Sequence, residues 1–442
     1  MKHVATKNER DKQVIEALLW RLGPLSRAQV HDLTHLQRSD ITGLVRQLLR
    51  EGRLVPAGRA DNPKGRKQAL LRINQDLGFV VGVAFDDQDV LAAVFDLRLQ
   101  MRSNVKEPAD LCGGREGFVR QLLRCTQAAI HQAGIEPRQL VGIGVAGSGL
   151  INNREGMLVM SSTIDFLREV PLREILEKEI GVATLVENLT RAKTLAERFL
   201  GAGEVAPDMA YVEYGRTGIG AGIIIGGKLF YGSGFAAGEL GHTHMMDGGP
   251  ACKCGSFGCL EAIAGASALE ARIRKALVEG IGSEVLALAG SDPAKIEGWT
   301  VLEAASRGDK ACAAIVEQAG NYLGLGLANL VNLFNPSILV LDQRLSLAGD
   351  ALLDQITRIV KRQALGHAVK DLVVRFGKLG SEAGILGAGL LVLEKHFEIP
   401  ALKPPRFMIE AALAVRAPAF AGPESSGRSS IGPKLSVAYQ HH

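Results

Sequence analysis

Three cysteines and a nearby histidine carry the clearest chemistry in this sequence. Cys252, Cys254 and Cys259 follow a C-x-C-x4-C spacing, with His242 and His244 just upstream. Three thiolates and one imidazole would fill a tetrahedral shell of the soft and borderline donors that zinc prefers. Glycines at 248, 249, 255 and 258 permit the tight backbone that such convergence needs. A shell closed by protein atoms leaves no position for a metal-bound water. The expected ion is therefore a structural Zn2+ that holds a loop rather than performing hydrolysis.

A second set of residues suits phosphate. Residues 1–75 hold 15 Lys and Arg against 7 Asp and Glu, a net +8, while the remainder carries −4. A basic head on a mildly acidic body implies an anionic partner for the head alone. Val14, Ile15, Leu18, Leu19 and Leu22 fall at helical spacing and predict an amphipathic helix over 9–22. Ser26 is placed to cap a short second helix over 27–33. A third helix is expected over 39–51, with Ile41, Leu44, Val45 and Leu48 facing inward. Two strand-like runs follow, joined by Gly-Arg-Ala-Asp-Asn-Pro-Lys-Gly-Arg-Lys. Helix, helix, turn, helix and basic hairpin form the winged helix-turn-helix pattern, whose third helix enters the DNA major groove. Candidate contacts are Arg38, Ser39, Thr42 and Arg46 on that helix, with Lys64, Arg66 and Lys67 on the wing. The expected partner is a double-stranded DNA operator.

The elements that must position the cysteine cluster lie in a longer α/β body. Apolar strand-length runs such as Phe79–Phe85, Ile219–Ile225 and Ile338–Leu341 alternate with helical stretches, so the body reads as two lobes. Its bounds are set at 76–396. Residues 397–442, rich in Pro, Gly, Ser and Ala, are expected to form a disordered tail. Cys112, Cys125 and Cys312 are expected to be packing residues. No run of about 18 apolar residues exists, and the N-terminus lacks an apolar signal core, so a cytoplasmic protein without a membrane span is expected.

Further motifs add a resemblance. They are Gly-Glu-Leu-Gly-His at 238–242, Cys-Lys-Cys-Gly-Ser-Phe-Gly-Cys-Leu-Glu at 252–261, Gly-Lys-Leu at 227–229, Asn-Leu-Phe-Asn-Pro at 332–336 and Gly-Ala-Gly at 387–389. With the winged head, the chain resembles the ROK family (repressors, open reading frames and sugar kinases) over about residues 10–395, and most of all its N-acetylglucosamine and xylose repressor branch. The resemblance implies a two-lobed actin-like ATPase, or sugar-kinase, fold for the body. It implies homodimers or homotetramers, and it selects His242 over His244 as the fourth metal ligand. It also assigns sugar binding to Asn188, Glu239, His242 and Glu261.

The chain departs from the family at several places, among them Arg216 where a Gly is usual in the second phosphate loop and a segment 161–172 without the usual Asn and Trp; three departures bear most on kinase chemistry. The kinases' catalytic Asp, which takes the proton of the attacking hydroxyl, would fall at Leu189 in Glu187-Asn188-Leu189. The first phosphate loop would be Ala84-Phe85-Asp86-Asp87-Gln88, without glycines and with two carboxylates that repel phosphate. The glycine pair that lies against adenosine is replaced near Asp342-Gln343-Arg344. The expectation is a DNA-binding regulator, with no catalytic residue, whose degenerate sugar-kinase body senses a sugar or sugar derivative. The alternatives are a ROK sugar kinase with a fused DNA-binding head, and a regulator whose body docks a protein.

Overall fold

The computed structural model describes residues 6–60, 67–161, 163–216 and 218–398. In the head, α1 (Lys7–Leu22) starts where the Thr6 side chain accepts a hydrogen bond from the Glu9 amide. After β1 (Leu25–Ser26), Ser26 and Gln29 close a capping box on α2 (Arg27–Thr34), which satisfies first-turn amides. α3 (Arg38–Arg50) buries Ile41, Leu44, Val45 and Leu48, the four residues expected from the periodicity. β2 (Leu54–Ala60) and β3 (Gln68–Ile73) pair antiparallel, and β3 also accepts β1.

The first lobe follows. It contains β4 (Phe79–Phe85), β5 (Asp89–Asp96), β6 (Met101–Pro108), α4 (Gly114–Gln132) and β7 (Leu140–Gly147). A small sheet of β8 (Leu150–Asn152), β9 (Met157–Met160) and β10 (Arg168–Val170) precedes α5 (Leu172–Ile180), β11 (Thr184–Asn188) and α6 (Leu189–Leu200). The main sheet has the order β11-β7-β4-β5-β6, parallel on the β11 side and antiparallel on the β6 side.

The second lobe repeats this design. It is built from β12 (Met209–Tyr214), β13 (Ile219–Ile225), β14 (Lys228–Leu229), α7 (Leu260–Ala264), α8 (Ala266–Val278), α9 (Val285–Leu288), α10 (Gly298–Ser306), α11 (Lys310–Phe334), β15 (Ile338–Leu341), α12 (Asp350–Gln363) and β16 (Val373–Phe376). Its sheet runs β14-β13-β12-β15-β16, again part antiparallel and part parallel.

The last helix, α13 (Ala383–His396), returns to the first lobe. It lies against β4, β7 and α6 at backbone contact. A Cβ on Gly144 would strike the Ala388 carbonyl, and one on Gly387 would strike the Ala192 carbonyl.

The apolar core of the head does not stop at residue 75. Val14, Leu18 and Trp20 belong to one buried cluster with Val80 and Phe95 of the first lobe, Phe199 of α6 and Leu393 of α13. Trp20 donates its indole N–H to the Leu97 carbonyl at 3.1 Å. Head and body are thus fused through α1. Phe397, placed in the tail by composition, stacks on Trp20 at 5.1 Å and is buried; the rest of that segment, beyond Glu398, lies outside the described residues. Cys125 and Cys312 are buried as expected, but Cys112 is exposed, because it sits in the turn before α4 rather than on a packed face.

Candidate metal centre, adjoining pocket and nucleic-acid face

The metal candidates converge. His242, Cys252, Cys254 and Cys259 place one donor atom each within 4.8 Å of one another. A short loop makes this possible. Ala251 bridges Phe257, His244 bridges Cys259, and the Cys252 amide donates to the Ser256 carbonyl at 2.8 Å. Gly258 takes a φ of 66° in a space where a Cβ would strike the Met246 carbonyl. Cys259 then opens α7, which anchors one end of the loop.

The spacings fit a tetrahedral ion. Cys254 Sγ and Cys259 Sγ are 3.8 Å apart, and Cys252 Sγ is 3.6 Å from His242 Nδ1. Bonds of about 2.3 Å to sulfur and about 2.0–2.1 Å to nitrogen give close to these edges at tetrahedral angles. His244 is excluded by its own bonds. Its Nδ1 pairs with the Phe257 carbonyl at 2.9 Å and its Nε2 with Asp247 at 3.0 Å. The Ser256 amide lowers the Cys254 thiol below its ordinary range, favouring the thiolate that a metal takes, whereas burial raises Cys252 and Cys259.

With Nδ1 toward the sulfurs, His242 turns Nε2 toward Glu239, whose Oε2 is 3.9 Å away. Glu261 Oε1 lies 3.6 Å from His242 Nδ1 and 3.1 Å from Cys252 Sγ. Glu239, His242 and Glu261 therefore form one polar group on the edge of the metal loop. Asn188 caps α6 instead. Its Oδ1 accepts from the Arg191 amide at 3.1 Å and its Nδ2 donates to the Gly149 carbonyl at 2.8 Å. One N–H and one lone pair of that amide stay available to a ligand.

Arg191, one turn into α6, was not singled out from the sequence. Its Nε donates to Glu187 at 2.7 Å and its Nη1 to the Phe235 carbonyl at 3.0 Å. The guanidinium also lies 5.3 Å from the Tyr231 ring centroid. It thereby ties α6 to the segment that leads into Glu239.

The positions that the resemblance aligns with kinase groups make internal contacts. Leu189 is buried beneath Gly384 of α13, where a Cβ would come within 2.8 Å of its Cδ1. Asp86 folds its own turn, accepting from the amides of Gln88 at 2.9 Å and Asp89 at 3.0 Å. Gln88 in turn accepts from Arg216 of the opposite lobe at 3.0 Å. At the position that the resemblance aligns with adenosine, Arg344 clasps Asp342 at 2.8 and 3.0 Å, reaches Glu213 at 3.4 Å and lies 4.9 Å from the Trp299 ring centroid. Lys193 completes the group at 2.5 Å from Glu213, and Tyr211 donates to Asp342 at 3.0 Å. Burial alone would raise the Asp342 carboxyl, but the Arg344 N–H donors and charge outweigh it and hold it below 3.8.

On the head, Arg38, Ser39, Thr42 and Arg46 all lie on the exposed face of α3, opposite its buried stripe. Thr42 Oγ1 donates back to the Arg38 carbonyl at 2.8 Å, so its methyl is the group left to project. A Cβ at Gly43 would meet nothing within 4 Å, so this face stands clear of the body at that point. Lys67 is exposed at the start of the β3 arm, while Lys64 and Arg66 fall outside the described residues. Arg59, exposed on the β2 arm, adds a cation that the sequence reading passed over; it follows Gly58, whose φ is 90°.

The ROK family profile matches residues 80–395. The xylose repressor of Caldicellulosiruptor bescii is 27% identical over 380 residues, covering 85% of this chain and 93% of that protein. The DNA-binding transcriptional dual regulator NagC of Escherichia coli K12 is 30% identical over 386 residues, covering 86% and 92%. A crystal structure of a ROK family transcriptional regulator, a homologue of the E. coli MLC protein, has the same fold, with a TM-score of 0.75 at 22% identity over 92% of this chain and all of that one. A ROK glucokinase from Streptomyces griseus, solved with glucose and AMPPNP, is 29% identical with a TM-score of 0.61, covering 71% of this chain and 99% of its own.

Proposed function

The chain belongs to the ROK family, and we propose that it is a transcriptional repressor whose body senses a sugar or sugar derivative without phosphorylating it. One observation carries this reading. Similarity to the repressors spans 85–86% of the chain and 92–93% of those proteins, whereas the glucokinase is covered almost whole by 71% of the chain.

The head is a winged helix-turn-helix. α3 enters the major groove and Arg38, Ser39, Thr42 and Arg46 meet bases and phosphates, while the wing arms reach an adjacent backbone with Arg59 and Lys67. Lys64 and Arg66 of the wing tip belong to the same contact. A homodimer or homotetramer in the cytoplasm would set two heads on two half-sites.

In the body the Cys/His cluster holds a structural Zn2+. When bound, the ion supplies only a fixed geometry for the loop and for the His242 ring. Glu239, His242 and Glu261 then accept from and donate to sugar hydroxyls, with Asn188 across the cleft. No general base stands at Leu189, and the Arg344 network fills the adenosine position, so hexose is bound and not turned over. Effector binding changes operator affinity by the difference in its affinity for two arrangements of the body.

The test uses the full-length protein and an operator selected from a random DNA pool. Xylose and N-acetylglucosamine, with their phosphates, are added to the complex. A shift in operator affinity without ADP formation in the presence of ATP supports the reading; ADP formation that depends on a hexose overturns it.

A further inference from the structure

One helix touches both the pocket and the head. α6 begins at the Asn188 cap and spans 12 residues, about 18 Å at the usual rise. At its first turn Arg191 holds the Phe235 carbonyl. Phe235 is itself in an unusual state. It has a φ of 60°, and its ring lies 5.4 Å from the Arg154 guanidinium of the first lobe. A bulky residue at positive φ is strained and persists only where its surroundings enforce it. Three residues on, Gly238 packs against the Ala221 carbonyl so closely that no Cβ fits, and Glu239 of the pocket follows directly. Any shift of Glu239 is therefore felt by the Tyr231–Phe235 segment, and through Arg191 by α6.

The other end of α6 meets the DNA-binding head. Phe199 lies 6.5 Å from Trp20 of α1, centroid to centroid, and Trp20 stacks on Phe397 just beyond α13. Arg21 of α1 reaches Glu394 of α13 at 3.9 Å. α6 and α13 cannot slide past one another, since Gly387 sits on the Ala192 backbone and Gly384 on Leu189. Both helices deliver their movement to the same aromatic joint. From α1 the connection continues to the end of α3: buried Lys12 binds Glu51 at 2.9 Å, and Arg53 binds Glu16 at 2.7 Å.

We propose that α6 reports the state of the Glu239–His242–Glu261 pocket to the head, with Arg191 as the positioning residue at its pocket end and the Trp20–Phe199–Phe397 rings as its joint to α1. The proposal rests on the reading of the chain as an effector-sensing regulator. Two readouts on the full chain separate the two claims.

The first uses neither DNA nor sugar. Amide hydrogen exchange is compared between wild type and Arg191→Met. The expected result is a change of about fivefold or more in protection along α1 and α3, the scale of ordinary site-to-site coupling, with α12 of the second lobe unchanged. No change in α1, or an equal change in α12, overturns the proposal even if DNA binding is established. The second is a double-mutant cycle on operator affinity. Arg191→Met is expected to shift Kd about fivefold or more in the wild type and less than about twofold once Trp20→Leu has loosened the joint. Additive effects overturn it. Should Trp20→Leu fail to fold, Arg21→Gln takes its place; Arg191→Lys, which keeps the charge beside Glu187, is expected to restore part of the coupling. A wild-type chain that binds no DNA would sink the regulator reading while leaving the exchange result to decide the role of α6.

Discussion

The metal loop and the group around Arg344 are built in opposite ways. In the loop, three sulfurs and a ring nitrogen converge within 4.8 Å of one another, with Glu261 beside Cys252 and His242. In the group, Lys193, Glu213, Asp342 and Arg344 point at one another. Convergent donors mark a place suited to a metal ion. Charges that neutralise each other mark a structural place, because a ligand there would have to break those pairs before it gained any of its own. On the proposed reading, the first is the half that recognises and the second the half that no longer reacts.

The sharpest way to break the comparison is to remove a metal ligand. Cys259→Ser deletes a buried donor at the start of α7 and is expected to release the ion and to lower stability by on the order of 4 kcal/mol or more. Metal analysis and thermal melting check this; a chain with full stability and no metal would contradict a structural role.

Arg344→Met tests the other half. It leaves the Asp342 carboxylate buried without its main partner, and is expected to cost about 2–3 kcal/mol, below the usual range for a fully buried pair because Arg344 is partly exposed. The pH dependence has a definite sign. Asp342 is held below 3.8 in the folded chain, so its contribution is present above about pH 4 and is lost as pH falls through its folded value. Urea unfolding should show a gap between wild type and variant that is full at neutral pH and narrows in acid. A gap independent of pH would assign the effect to packing alone.

A smaller effect is expected on the head. Arg46→Ala should weaken operator binding and reduce the slope of log affinity against log salt by about 0.9, the value for one phosphate contact. An unchanged slope would remove Arg46 from the phosphate contacts.

Some of this was readable in the sequence, and the reason differs by residue. The candidate metal ligands were legible because C-x-C-x4-C is local, and Ser26 because a capping box spans four positions. α3 declared its buried face through simple periodicity. β6 did not, since an edge strand reading Met-Arg-Ser-Asn-Val-Lys-Glu-Pro keeps its charges outward and has little apolar signal. The Arg344 network was also hidden. Its members lie between residues 193 and 344, and each alone looks like an ordinary surface charge. Absence of the kinase groups could be read from Leu189 and Asp86, but not what replaced them. Trp20 and Phe397 sit at opposite ends of the described chain, and only the fold shows that they stack.

The most direct measurement is the operator affinity of one full-length, zinc-loaded preparation, followed by fluorescence anisotropy while sugars and ATP–Mg2+ are added in turn. The account predicts that a sugar or sugar phosphate shifts the affinity about fivefold or more, and that ATP–Mg2+ neither shifts it nor is consumed. An affinity that responds to ATP and ignores every sugar would contradict it.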